Sequence, residues 1–303
     1  MLYTIKSAQA SATISSLGAE LQSLRHLANA GDSSDNSDKQ GAGNNGGHEA
    51  IWHGDPAVWS GRAPILFPIV GALKNNQYTH EGKTFTLSRH GFARQAEFTC
   101  TAQSANNIAL QLQANPDSLS VYPWDFELTI GFRMEQSKLL VSYSVVNRDT
   151  TPMLFTIGSH PAFALQHAPD EYAIYFSKAE TLKHHPLTSD GLLTPGVDYL
   201  RNTQQLPLTE TLFDDDALIF KNIQSNAISL HHRDKPVVTV NTGGAPHLGI
   251  WAKPAARFVC IEPWFGYSDD ADGGGALIDK PQMTSLPEGK AFTYEWDILL
   301  HQQ

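Results

Sequence analysis

Glu262 ends an apolar run. In "RFVCIEPWFG" (residues 257–266), alternation along an extended chain puts Phe258, Cys260 and Glu262 on one face and Val259 and Ile261 on the other. Pro263 stops the run, and Trp264 and Phe265 flank it. A carboxylate pressed against apolar neighbours loses solvation, which raises its pKa and suits it to proton transfer rather than to stability. Carboxylates among aromatics are also what a sugar site uses: ring faces cover C–H surfaces while acids and bases reach the hydroxyls.

Three other stretches place polar chemistry at strand ends. In "FTIGSHPAF" (155–163), His160 follows Gly158 and Ser159 and precedes Pro161, so it sits where a strand stops and the backbone is stiffened. A histidine locked there is a candidate preorganised acid, although a lone histidine serves structure as readily. In "SRHGFARQAEF" (88–98), His90 and Arg94 flank a Gly-Phe pair, and Gly91 permits backbone conformations closed to other residues and close approach of a ligand. A loop in which Arg94 merely pairs with a carboxylate is the alternative. In "GRAPILFPIVG" (61–71), Arg62 precedes Pro64 and Pro68, which exclude an ordinary central strand. Alone, that stretch reads as a proline-rich edge with a solvated arginine.

The elements that must hold these groups are strands. "AFTYEWDILL" puts Phe292, Tyr294, Trp296 and Ile298 on one face, and "DFELTIGFRM" does the same with Phe126, Leu128, Ile130 and Phe132. "KLLVSYSVVNRDTTPMLFTIG" reads as two strands joined by a turn whose Asn, Asp and Pro supply the local chemistry. No amphipathic helix of three turns is evident, so only short helical pieces are expected. The pattern predicts an all-β fold: a large antiparallel β-sandwich forming one domain over residues 1–303. Residues 28–50, "ANAGDSSDNSDKQGAGNNGGHEA", are small and polar and read as a flexible low-complexity insertion in a surface hairpin.

Composition narrows the function. The chain has 303 residues and a formal net charge of -10, with no basic run, which disfavours a nucleic-acid partner. No apolar stretch approaches the roughly 20 residues needed to cross a bilayer, and the start lacks the pattern of a signal peptide. Cys100 and Cys260, both in strand-like runs, read as reduced core thiols of a cytoplasmic protein. The doublets His184-His185 and His231-His232 lie in polar surroundings and read as surface residues; no metal-ligand spacing such as CxxC or HExxH occurs.

Taken in order, "RAPILFPIVG", "HGFAR", "GSHPAF" and "CIEPWFG" resemble the aldose 1-epimerase (galactose mutarotase-like) family, most of all the branch typified by the extra protein of bacterial lactose operons. The resemblance runs from "ISSLGAELQSL" near the N-terminus to the final strand, omitting the insertion. It implies a galactose mutarotase-like sandwich with a sugar cleft on its concave face and an aldohexose, possibly phosphorylated, as its small-molecule partner. It also implies His160 as the acid, Glu262 as the base and His90 as a hydroxyl-binding histidine. An aspartate of "FDDDALIF" is implied at the sugar, with Asp216 favoured over Asp214 and Asp215; Arg94, Arg62 and Trp264 complete the expected binding set. Galactose mutarotases carry Gly-x-x-x-Asn-Arg where this chain has "GALKNN", with Asn76 in place of the arginine, so Arg62 or Arg94 must supply the charge.

Anomer exchange opens the hemiacetal with a base at the C1 hydroxyl and an acid at the ring oxygen, and closes it with the roles reversed. With ordinary pKa values of about 4.3 and 6.5, a carboxylate and an imidazolium coexist near neutrality. No metal or cofactor is called for, and either a monomer or a homodimer would serve. Three rivals remain: a hexose-6-phosphate mutarotase, whose arginines would hold a phosphate; a carbohydrate-binding protein without turnover; and a glycosidase, which ordinarily needs two carboxylates.

Overall fold

Period-two alternation becomes strand wherever the sequence carries it. The computed structural model describes residues 1–27, 48–280 and 282–302. Strand Phe126–Glu135 buries Phe126, Leu128, Ile130 and Phe132, and strand Ala291–Leu300 buries Tyr294, Trp296 and Ile298. Lys138–Asn147 lies between them, with Val141 opposite Phe132 on one side and Trp296 on the other. Facing apolar pairs of this kind fix the register, because a slip of one residue would turn every buried side chain to the opposite face.

These strands belong to a 15-stranded sheet. One edge is the two-residue strand Ile65–Leu66, followed by Ile157–Ser159, Phe258–Phe265, His247–Trp251, Leu218–Lys221 and Tyr172–His184. The path continues through Ala227–His232, Lys235–Asn241, Ala291–Leu300, Lys138–Asn147, Phe126–Glu135 and Asn107–Gln113 to Thr99–Gln103. All the pairings are antiparallel, and the proline-bracketed Ile65–Leu66 is at the edge, as Pro64 and Pro68 require. The sheet folds over on itself. Phe67, just beyond that edge, packs its ring 5.2 Å from Phe126, and Tyr143 Oη lies 2.6 Å from Ser159 Oγ across the core. The result is an all-β antiparallel sandwich. Among the described residues its one α-helix is Pro116–Val121, capped by Asn115, whose side chain accepts from the Ser118 N–H at 3.0 Å.

Three expectations change. Residues 28–47 of the expected insertion lie outside the described residues, but its last residues are part of the fold. The Glu49 carboxylate accepts from the Leu24 N–H at 2.8 Å and pairs with Arg25 at 2.8 Å, and the Ala50 N–H donates to Leu24 O. Cys260 is fully buried, whereas Cys100 is partly buried and packs against the core from the outermost strand, so only one of the two free thiols is fully enclosed. His184 is buried rather than superficial, its Nδ1 accepting from the Ile219 N–H at 3.2 Å; a strand partner satisfies the polar atom that would have demanded solvent.

Candidate active site

Strand Phe258–Phe265 has a neighbour on each side: His247–Trp251 on one, and the broken pair Ile157–Ser159 and Ala162–Ala164 on the other. Alternation puts Cys260, Glu262 and Trp264 on one face. Gly158 and Gly249 make room there: a Cβ on either would come within 2.5 Å of the Trp264 indole. His160 and Pro161 occupy the break between the two short strands, and the uninterrupted partner strand holds that break in place. The His160 N–H donates to Pro64 O at 3.1 Å, and the Ile261 N–H reaches Pro161 O at 3.3 Å. The imidazole therefore lies over the carboxylate, with His160 Nε2 3.3 Å from Glu262 Oε2.

The pair forms the floor of a cleft of about 310 Å³, within the roughly 300–1,000 Å³ range of small-ligand sites. Trp59 stacks on the His160 ring at 5.1 Å, and Trp251 meets it edge-on at 5.7 Å. Glu262 is 1% exposed and His160 12%, and neither Glu262 Oε2 nor His160 Nδ1 has a hydrogen-bond partner in the protein. Burial lowers His160 to about 3, with a smaller push from the Arg94 guanidinium, and burial raises Glu262 well above the carboxylate range, helped by the Asp216 charge. The surroundings thus favour two neutral groups with one titratable proton between them, resting on Glu262, rather than the separated ions that ordinary pKa values allow.

His90 takes a left-handed backbone, φ 67°, followed by Gly91 at φ 69°. A side chain on Gly91 would strike Phe67 O at 2.3 Å, so this turn needs glycine. His90 Nδ1 accepts from the Gly71 N–H at 3.1 Å, which leaves the ring proton on Nε2, and burial keeps the ring neutral. Its ring lies 5.9 Å from that of His160, so a neutral N–H donor stands beside the His160–Glu262 pair. Arg94 also lines the cleft. One Nη donates to Arg89 O at 2.9 Å, while its Nε is buried without a partner.

Of the three consecutive aspartates, Asp216 lines the cleft, whereas Asp214 lines a separate cavity of about 410 Å³ beyond residues 252–256. That cavity is larger, but no histidine is among its walls, whereas the smaller cleft holds both His90 and His160. Trp264 is in the cleft wall. Arg62 is not brought to the cleft. Its Nη1 donates to Gln22 O at 2.8 Å and its backbone N–H to the Glu20 carboxylate at 2.8 Å, which ties two segments together below the site. Asn76 is exposed on a 3₁₀ turn, so of the arginines weighed from the sequence it is Arg94 that brings charge to the cleft.

A family model described as aldose 1-epimerase matches residues 1–282. The chain belongs to the aldose 1-epimerase family. Its relatives include the chromosomal protein LacX of Lactococcus lactis subsp. lactis, 32% identical over 255 residues, which are 79% of this chain and 85% of that protein. Among solved structures, a galactose mutarotase related enzyme from Lactobacillus acidophilus is 33% identical, with a TM-score of 0.89 over 100% of this chain and 98% of the other. A galactose mutarotase-like protein from Lactobacillus casei is 28% identical, with a TM-score of 0.88 over 99% of this chain and 100% of the other. The fold is of the galactose mutarotase-like type.

Among the wall residues of this cleft that escaped the sequence reading are Trp59, Arg89, Trp251 and Lys253. Arg89 was within reach, since it directly precedes His90. Trp251 stands opposite Cys260 across the ladder, a signal that appears only once the two strands are paired. Trp59 lies in a segment without periodicity, and nothing local marks it.

Proposed function

We propose that the protein is an aldose 1-epimerase that interconverts the α and β anomers of an aldohexose by acid–base ring opening and closure. The observation that carries this reading is the His160–Glu262 contact at 3.3 Å, buried on the floor of a cleft with tryptophan walls. Ring opening removes one proton from the C1 hydroxyl and delivers one to the ring oxygen, with none gained overall. A buried pair that shares one proton has that stoichiometry. Sugar hydroxyls entering the cleft draw the pair's one proton from Glu262 onto His160; Glu262 then takes the C1 proton as His160 gives one to the ring oxygen, and after rotation of the aldehyde both transfers reverse on the other face. Each positioned group contributes roughly 10²–10⁴-fold. His90 Nε2–H, Arg94 and Asp216 hold hydroxyls, and Trp264, Trp59 and Trp251 wall the sugar.

A phosphorylated hexose is the second reading, favoured by Arg89, Arg94 and Lys253 in the same cleft and by the unpartnered Arg94 Nε. The test is the decay of optical rotation of fresh α-D-glucose, α-D-galactose and α-D-glucose 6-phosphate. Wild type, Glu262→Gln and a buffer blank are run side by side. Acceleration by wild type and its loss in the variant are expected. A folded variant with full activity would remove Glu262 from the mechanism. No acceleration with any of the three sugars would leave a binding protein.

A further inference from the structure

The proposed reaction gives Cys260 no task, yet its thiol stands beside the pair that does the work. Cys260 and Glu262 are two residues apart on one face of strand Phe258–Phe265, and the donor atoms of Cys260, Glu262 and His160 all lie within 4.8 Å of one another. Cys260 and Glu262 are buried, and Glu262 Oε2 has no hydrogen-bond partner in the protein. We propose that His160, Cys260 and Glu262 form a three-donor site for a thiophilic divalent cation of the Zn²⁺ or Cd²⁺ class, whose occupancy shuts off the acid–base pair.

Zn²⁺ takes nitrogen, sulfur and carboxylate oxygen at roughly 2.0–2.3 Å in a tetrahedron, whose edges are then about 3.3–3.7 Å. The His160 Nε2 to Glu262 Oε2 separation of 3.3 Å is already such an edge, so closing the site takes a movement of the thiol of about an ångström. Cys260 lies behind the cleft, while His160 and Glu262 line it. An ion entering from the cleft meets those two first, and its fourth position faces the open side, where water or a sugar hydroxyl can complete it.

Charge is the stronger argument. Burial opposes a lone thiolate and a lone carboxylate here, but a divalent ion with one of each is neutral as a unit. The balance is simple. The ion displaces the thiol proton and any proton on the Glu262 carboxyl, so binding releases protons, and no oxidant or reductant is involved. An occupied site leaves neither a base for the C1 hydroxyl nor an acid for the ring oxygen.

The binding half of the proposal does not rest on the sugar reading, because it can be measured without substrate. Cd²⁺ is titrated into wild-type protein while the ultraviolet thiolate-to-Cd²⁺ charge-transfer band and the proton release are followed. One band per chain is expected, with proton release in step with it. The band persists in Cys100→Ala and is lost in Cys260→Ala. An absent band, or one that survives in Cys260→Ala, overturns the site. Cys100→Ala leaves Cys260 as the one thiol of the chain, so it decides the matter even if Cys260→Ala does not fold: an absent band there also overturns the site. The inhibitory half uses Zn²⁺ in the optical-rotation assay. Outer partners of a metal ligand alone are worth 10–100-fold in affinity, so Cys260→Ala should need roughly tenfold more Zn²⁺ or beyond for half inhibition. Equal sensitivity in the two proteins would refute control through this thiol, while the Cd²⁺ band would still report binding.

Discussion

Replacing Glu262 by Gln should change how stability responds to pH, and the shape of the change follows from the shared proton. In the unfolded chain Glu262 titrates at its ordinary 4.5 and His160 at 6.5. Between those values the unfolded chain carries one proton on the two groups, and so does the folded pair, so the pair adds no slope there. Below pH 4.5 the unfolded chain takes a second proton that the folded site refuses until about pH 3. Stability therefore falls with pH over roughly 1.5 pH units, about 2 kcal/mol at about 1.4 kcal/mol per unit. Above pH 6.5 the unfolded chain has lost both protons while folded Glu262, whose pKa is raised, keeps one, so stability falls as pH rises. In Glu262→Gln only His160 titrates. Its neutral burial is then fully favourable above pH 6.5 and is lost as pH falls toward about 3, a span worth about 5 kcal/mol, and the pair's alkaline loss disappears. Urea unfolding of wild type and variant across this range, taken as a difference at each pH, cancels every other titrating group. The difference should slope in the variant's disfavour as pH falls from 6.5 to 4.5 and in its favour as pH rises above 6.5. A difference independent of pH would refute the shared-proton account.

Three further outcomes can be checked separately. Gly91→Ala forces a side chain onto Phe67 O at φ 69°, so thermal unfolding should report a loss of roughly 1–3 kcal/mol, with a raised KM as His90 is displaced. Asp269→Ala strands the Lys280 ammonium, buried 2.9 Å from Asp269 beside the cleft residue Ser268; denaturant titration should show a loss of about 3–5 kcal/mol. Arg94→Met should raise KM more for glucose 6-phosphate than for glucose if the guanidinium meets phosphate, and equally for both if it meets a ring hydroxyl.

Much of this was legible in the chain because period-two alternation and proline punctuation are local signals. They report the strands around Phe126 and Trp296, the edge position of Ile65–Leu66 and the shared face of Cys260 and Glu262. Placing His160 over Glu262 took the four-motif resemblance, since residues a hundred positions apart leave no mark of contact in one sequence. What stayed hidden depends on pairing. Trp251 becomes a wall residue only because His247–Trp251 lies beside Phe258–Phe265, and Arg62 leaves the cleft because Glu20 and Gln22 hold it. The proton state was half legible: the apolar neighbours of Glu262 already point to a raised pKa, but the lowering of His160 follows only from its depth of burial.

The face that carries Cys260, Glu262 and Trp264 makes strand Phe258–Phe265 a matter of parity. Adding or removing one residue before Cys260 would invert the row, turning carboxylate and indole away from the cleft and offering Val259 and Ile261 in their place. A two-residue change would keep the row facing the cleft but carry it roughly 6–7 Å along, away from His160. Substitutions can be absorbed one side chain at a time, whereas a change of length here would erase every chemical group of the strand at once.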